Sequence, residues 1–277
     1  MIRSSVTISL VPEARGGPFV FWDDHAAACR EAKRLGFDAV EVFAAPDVDA
    51  AALRRSLDDN GLKMAAMGTG AGWVRHRLTL THPDAEKRAQ AVHFIRSVID
   101  LAGSFGAPAI IGSMQGRHGD GVDVQQALTY LADALGPLAE HARQYGAPLL
   151  FEPLNRYETN LVNTVADGAW LRAKAGSENV KLLIVLFHMN IEEADSAAAV
   201  RAGPGVIGHV HFVDSNRRPA GCGHIDFAPI AAALRETAYD GYISAEALPF
   251  PNPIEAATLT ILAYRKFFAT NPTVPFQ

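Results

Sequence analysis

The chain has 277 residues, of which 49% are hydrophobic and 20% are charged, so it can bury one large core or two modest ones. A formal net charge of −5 argues against a nucleic-acid partner. Because no apolar run approaches the length of a membrane-spanning helix and the N-terminus has no continuous apolar region, we expect neither a membrane association nor a signal peptide.

Apolar, strand-like segments alternate with amphipathic, helix-like segments along the chain. The predicted strands are 5–11, 37–44, 62–67, 107–112, 148–153, 180–187, 206–213 and 242–248. The predicted helices are 23–35, 47–60, 84–105, 122–145, 163–175, 191–202, 226–238 and 253–270, and a Gly-rich loop is predicted at 68–72. Eight strand-helix units of about 35 residues each predict an α/β fold, a single (β/α)₈ TIM barrel. Without a linker or a shift in composition, we expect residues 1–277 to form one domain.

Active sites of such barrels lie at the C-terminal ends of the strands, which directs attention to polar residues there. Glu152 lies inside the apolar run of the fifth predicted strand. An unpaired buried carboxylate costs several kcal/mol, so Glu152 requires a cation, a metal or several hydrogen-bond donors. The alternative explanation is a structural ion pair with Arg156 or another barrel residue.

Two later strands carry further candidate metal ligands. His209 and His211 are two residues apart and so lie on one face of the seventh predicted strand, and Glu246 lies in the eighth. Glu152, His211 and Glu246 lie at matching depth and predict a site for one divalent metal ion, Mn²⁺, Mg²⁺ or Co²⁺. His209 lies one step deeper, where it either packs in the core or supports a ligand.

Four segments carry a resemblance to a known family: FEPLNRYETN, FHMNIEE, HVHFVDSNR and the strand of Glu246. They resemble the D-tagatose and D-psicose 3-epimerases, a ketose 3-epimerase group within the xylose isomerase-like TIM barrel superfamily. The resemblance implies that Glu152, His211 and Glu246 bind the metal, and that Glu152 and Glu246 also form the catalytic acid-base pair. It further implies that Glu158, His188 and Arg217 bind the substrate hydroxyls.

The implied chemistry matches these residue types. Inverting a carbon beside a carbonyl requires removal of a weakly acidic C–H proton, and a Lewis-acid metal stabilises the resulting enediolate. Two glutamates on different strands can take the proton from one face and return it to the other. We therefore expect C3 epimerisation of a ketose.

Val185 departs from the pattern of the group, which has an aspartate ligand three residues before the histidine of the sixth strand. The substitution removes one anionic ligand and predicts weaker metal binding, with Asp214 or a substrate oxygen as a possible replacement. Three explanations stay open: a variant with altered chemistry, an inactive binding protein, or an alteration of the sequence itself.

The same barrel architecture also supports other functions. A hydroxypyruvate isomerase-like aldose-ketose isomerase and a non-catalytic sugar-binding barrel are the alternatives, while a nuclease of the endonuclease IV type would need additional His and Asp ligands. The expected partner is a small-molecule sugar, and we expect a homodimer or homotetramer. Because Cys29 and Cys222 form no disulfide framework, a cytoplasmic location is expected.

Overall fold

Nine parallel strands form one sheet in the computed structural model, which describes residues 1–268. The strands are β1 (Arg3–Ser9), β2 (Phe21–Trp22), β3 (Ala39–Phe43), β4 (Lys63–Gly68), β5 (Ala109–Ile111), β6 (Leu149–Phe151), β7 (Val180–Val185), β8 (Ile207–His211) and β9 (Tyr242–Ala245). Their order is β2-β1-β3-β4-β5-β6-β7-β8-β9, and β1 also pairs with β9. This pairing closes an eight-stranded barrel, which confirms the predicted (β/α)₈ fold.

The helices surround the barrel. They are α1 (His25–Leu35), α2 (Ala50–Asn60), α3 (Ala71–His76), α4 (Ala85–Ser104), α5 (Val124–Arg143), α6 (Val165–Ala175), α7 (Leu186–Glu192), α8 (Ser196–Ala202), α9 (Phe227–Glu236) and α10 (Pro253–Phe268). Local signals set many of their ends: Asp24 and Asp226 accept hydrogen bonds from the first turns of α1 and α9, and Gly36 ends α1 in a left-handed conformation. Residues 269 and 270 of the last predicted helix lie outside the described residues.

Four details of the predicted elements were wrong. The strand predicted at 180–187 ends at Val185, and the chain then enters α7, so His188 lies in a helix. The helix predicted at 191–202 is the end of α7 followed by α8. The Gly-rich loop 68–72 contains the start of α3, and the short strand β2 was not predicted.

The core combines the apolar strand residues with the inner faces of the helices. Several polar side chains interrupt this apolar interior: Ser5, Thr7, Glu41, His209, His211 and Ser244 are all buried. Buried polar groups require partners, so they mark the part of the barrel where chemistry is expected. In residues 1–268 no helix combines the length and apolarity needed to cross a bilayer.

Candidate active site

The C-terminal ends of three strands bring Glu152, His211 and Glu246 together. Glu152 directly follows β6, His211 is the last residue of β8, and Glu246 directly follows β9. One ligand atom from each side chain lies within 4.8 Å of the others. The convergence expected from the sequence is therefore present, and their function as ligands stays a prediction.

His211 lies between two carboxylates. Its Nε2 is 2.9 Å from Glu41 Oε1, while its Nδ1 is 3.4 Å from Glu246 Oε2. Burial lowers the pKa of His211, but the charges of Glu41 and Glu246 raise it more, so it lies well above its usual value. The carboxylates thus create a strongly negative environment that favours a cation.

The cluster meets the requirements of a divalent metal ion. His211 Nδ1 is buried and has no hydrogen-bond partner within the described chain, although it faces carboxylates. A nitrogen lone pair and two carboxylates form a donor set typical of divalent cations. If a metal ion displaced the Nδ1 proton, His211 would keep its Nε2 hydrogen on Glu41 and direct the Nδ1 lone pair towards Glu152 and Glu246.

Glu41 is the residue that the sequence analysis overlooked. It is 5% exposed within β3, and its carboxylate is 2.7 Å from His209 Nε2 as well as 2.9 Å from His211. Burial raises the pKa of Glu41, but the charge of His211 and the hydrogen bonds of both histidines lower it further, so the carboxylate is ionised. The signal was present, because Glu41 is a carboxylate within the apolar segment 37–44, as Glu152 is within its own strand.

Arg217 connects two acidic residues of the site. It lies in the loop after β8, with Nη1 2.8 Å from Glu158 Oε1 and Nη2 3.2 Å from Glu246 Oε2. Burial raises the pKa of Glu246, but His211 and Arg217 lower it overall, so Glu246 is held as a carboxylate. The structure thus places two of the predicted substrate-binding residues, Glu158 and Arg217, beside the metal-ligand candidates.

His188 is the third predicted substrate-binding residue. Asn155 Nδ2 donates to His188 Nδ1 at 2.7 Å, so Nδ1 is an acceptor and Nε2 carries a ring hydrogen. Nε2 is 3.5 Å from Glu152 Oε1 and has no hydrogen-bond partner in residues 1–268. His188 therefore presents a free donor beside the cluster.

The proposed ion pair of Glu152 with Arg156 is not formed. Arg156 pairs instead with Glu192, at 2.9 Å between Nη2 and Oε2. Glu152, which is 6% exposed, thus has no arginine within ion-pair distance among the described residues. This observation favours a functional explanation of its burial.

Neither Val185 nor Asp214 adds a carboxylate to the cluster. Val185 ends β7 directly opposite His211 in the strand register and is buried. The Asp214 carboxylate accepts hydrogen bonds from the backbone of Ser215, Gly221 and Ile225, at 2.8, 2.8 and 3.1 Å. Asp214 therefore fastens its own loop and does not replace the missing ligand.

A cavity of about 250 Å³ lies over the cluster. Glu152, His211, Arg217 and Glu246 line it, as does the aromatic ring of Trp73. A lining that combines a few charged side chains with apolar and aromatic ones such as Phe19 and Trp73 is typical of a site for a small polar ligand.

Comparisons with known proteins show which family this barrel belongs to. The xylose isomerase-like TIM barrel family matches residues 29–263. An L-ribulose 3-epimerase from Mesorhizobium japonicum is 33% identical over 245 residues, which are 86% of this chain and 80% of that protein. A D-psicose 3-epimerase from Agrobacterium fabrum is 30% identical over 242 residues, 84% of this chain and 79% of the relative. A solved L-ribulose 3-epimerase superposes with a TM-score of 0.77 at 27% identity and covers 99% of this chain and 100% of its own. The chain therefore belongs to the ketose 3-epimerase group of the xylose isomerase-like TIM barrel family and is a sugar isomerase or epimerase.

Proposed function

We propose that this protein catalyses the C3 epimerisation of a ketose, with Glu152 and Glu246 as the acid-base pair. The observation that carries the proposal is the convergence of Glu152, His211 and Glu246 within 4.8 Å beneath a cavity of about 250 Å³. The two glutamates follow β6 and β9, which two other strands separate in the barrel, so one can take the C3 proton while the other returns a proton to the opposite face.

The same three side chains hold a divalent metal ion in this proposal, and we propose Mn²⁺, Mg²⁺ or Co²⁺. The ion, when bound, stabilises the negative charge that develops on the substrate oxygens as the C3 proton leaves. The chain's own residues orient the sugar: His188 donates from Nε2, and Arg217 donates from its guanidinium while it holds Glu158 and Glu246 in place. Such positioning lowers the barrier because the reacting groups start in the right geometry.

Val185 modifies this site. Its apolar side chain lies beside His211, where no carboxylate from β7 contributes to the cluster. We propose that three protein ligands support turnover with weaker metal binding than a four-ligand site. Metal titration and Mn²⁺-dependent epimerisation of the protein and of Val185→Asp, side by side, test this proposal. Tighter Mn²⁺ binding and higher activity in Val185→Asp are expected, whereas activity only in Val185→Asp would identify the natural chain as inactive.

The main experiment measures solvent deuterium incorporation during turnover of a ketose panel that includes L-ribulose and D-psicose. Epimerisation predicts deuterium at C3 and interconversion of the two C3 epimers. An aldose-ketose isomerase would instead give aldose products, with exchange at the carbon on the other side of the carbonyl from C3. Glu152→Gln and Glu246→Gln should each lower kcat at least ~100-fold because each removes an acid-base group, with the exposed Glu86→Gln as the matched control. Sugar binding without exchange in the natural protein would overturn the proposal in favour of a non-catalytic barrel.

The assembly and location of the protein are also proposals. We propose a homodimer or homotetramer acting on a small sugar in the cytoplasm. Light scattering after size-exclusion chromatography measures the molar mass, and a monomer of 29.7 kDa would contradict the proposed assembly.

A further inference from the structure

A second cavity opens beside the one that covers the metal-ligand candidates. It measures about 560 Å³, and we call it the annexe. Trp73, Ser113, Leu154 and Glu158 line both cavities, so the two cavities adjoin. Further lining residues of the annexe are Arg77, Thr81, Gly116, Arg117 and Asp120.

The annexe carries free positive charge. Arg77 and Arg117 have no carboxylate within ion-pair distance in residues 1–268, unlike Arg217, which pairs with two. Glu158 is already engaged by Arg217 at 2.8 Å, and Asp120 is the other carboxylate of the lining. Two unpaired guanidinium groups facing one space favour an anionic ligand, because arginine donates in a fork that matches carboxylate and phosphate oxygens.

The loop that carries Arg117 is fastened on two sides. Thr81 Oγ1 donates to the carbonyl of Arg117 at 3.0 Å, and Thr159 Oγ1 donates to the carbonyl of Gly116 at 2.8 Å. Arg117 Nη1 itself donates to the carbonyl of Tyr157 at 3.3 Å, which leaves the other guanidinium donors free. The backbone that carries Arg117 is therefore positioned before a ligand arrives, which reduces the entropy lost on binding.

Arg77 is held in a different way. It ends α3 in a left-handed conformation with φ of 55°, and its backbone N–H donates to the carbonyl of Trp73 at 2.9 Å. Its guanidinium lies 4.9 Å from the centre of the Trp73 ring. Trp73 lines both cavities, so Arg77 lies at the boundary between the annexe and the catalytic cavity.

A short series of contacts connects the annexe to the acid-base pair. Arg117 contacts the carbonyl of Tyr157, the neighbour of Glu158, and Glu158 pairs with Arg217, which in turn contacts Glu246. A ketose whose reacting carbons lie at Glu246 would thus extend its far end past Glu158 towards Arg117.

We propose that the annexe binds an anionic group, a phosphate or a carboxylate, at the end of the ketose remote from its carbonyl. This inference rests on the proposed epimerase function and specifies its substrate class. Arg77 and Arg117 determine this specificity by donating to the anion, while the acid-base chemistry stays at Glu152 and Glu246.

The test compares kcat/KM for a neutral ketohexose, its 6-phosphate and the corresponding ketohexuronic acid. The kcat/KM for at least one anionic substrate should exceed that for the neutral one by about tenfold or more, because hydrogen bonds between charged groups are stronger than those between neutral groups. A preference for the phosphate ester identifies phosphate as the group, and a preference for the acid identifies carboxylate. The double variant Arg77→Gln/Arg117→Gln should reduce this ratio towards one, while Arg55→Gln on the outer helix α2 should leave it unchanged.

Calorimetric titration of the same three compounds provides a readout that does not depend on turnover. The wild-type protein should bind an anionic compound more tightly than the neutral one, and the double variant and the single variant Arg117→Gln should lose part or all of the difference. Equal affinities for all three compounds would overturn the annexe proposal. If the wild-type protein turns over none of the compounds but still binds an anionic one more tightly than the neutral one, the epimerase function is refuted and the annexe proposal is retained.

Discussion

Glu41 is a buried carboxylate that acts on the candidate metal site through the two histidines it contacts. Its carboxylate contacts both His209 and His211 and is held ionised by them. A carboxylate that accepts the Nε2 hydrogen of a metal-binding histidine fixes the ring orientation and makes the other nitrogen a better ligand. Glu41 is therefore a positioning residue for His211.

We predict that Glu41→Gln weakens Mn²⁺ binding about 10- to 100-fold, because the amide accepts less well from His211 and carries no charge. Calorimetric titration of the metal measures the change, with the exposed Glu86→Gln as control. Circular dichroism establishes that the variant is folded, and a folded variant with the wild-type affinity would contradict the positioning function.

At the scale of single elements, helix ends follow local chemistry closely. Helix α6 begins with a capping box in which Thr164 accepts from the backbone of Asp167, while the Asp167 side chain accepts from the backbone of Thr164. Both interactions satisfy backbone groups that the first helical turn leaves unpaired. The start of α6 thus depends on residues that are neighbours in sequence.

Replacement of this cap should be measurable. Thr164→Ala removes the hydroxyl acceptor and should lower the free energy of unfolding by about 1 kcal/mol. Denaturant unfolding measures the loss, and Thr258→Ala, in the middle of α10, should cost much less because alanine favours the helical interior. Equal losses in the two variants would show that the cap contributes nothing specific.

At the scale of the whole molecule, the first and last elements of the described chain close the barrel. β1 pairs with β9 over Arg3 to Val6, and Tyr264 of α10 donates from its hydroxyl to the carbonyl of Ile2 at 2.7 Å. Burial raises the pKa of Tyr264 to about 12. The folded protein, with its barrel closed, therefore favours the neutral phenol of Tyr264.

The raised pKa of Tyr264 predicts the direction of a pH effect. Between pH 10 and 12 the unfolded chain loses the phenolic proton while the folded one keeps it, so this contribution to stability is complete below pH 10 and falls as the pH rises. Tyr264→Phe should lose about 1 kcal/mol at pH 7, and its melting temperature should fall less steeply above pH 10. Thermal melts at pH 7 and above pH 10 measure both effects, and Tyr157→Phe, whose side chain is 75% exposed, is the control. Parallel pH profiles of wild type and Tyr264→Phe would refute the argument.

Much of this protein follows from the sequence alone. The alternation of apolar strands with amphipathic helices, together with local caps such as Asp24 and Gly36, predicts the eight repeating units and hence the barrel. The burial cost of a carboxylate and the two-residue spacing of His209 and His211 were sufficient to select Glu152, His211 and Glu246. The fold and the convergence of these three side chains could be predicted because they depend on neighbours in the chain and on the strand ends that a parallel barrel brings together, while their functions stay predictions.

The tertiary structure alone decided the rest. Glu41 and His209 are 168 positions apart, so their hydrogen bond exists only once β3 and β8 face each other across the barrel. β7 ends at Val185, where its pairing with β8 ends. The apolar run 180–187 continues past this point, so the sequence alone does not show where the strand stops. The annexe likewise needs Arg77 and Arg117 from separate loops. Contacts between distant segments depend on chain packing, and a linear pattern of residue types does not record that packing.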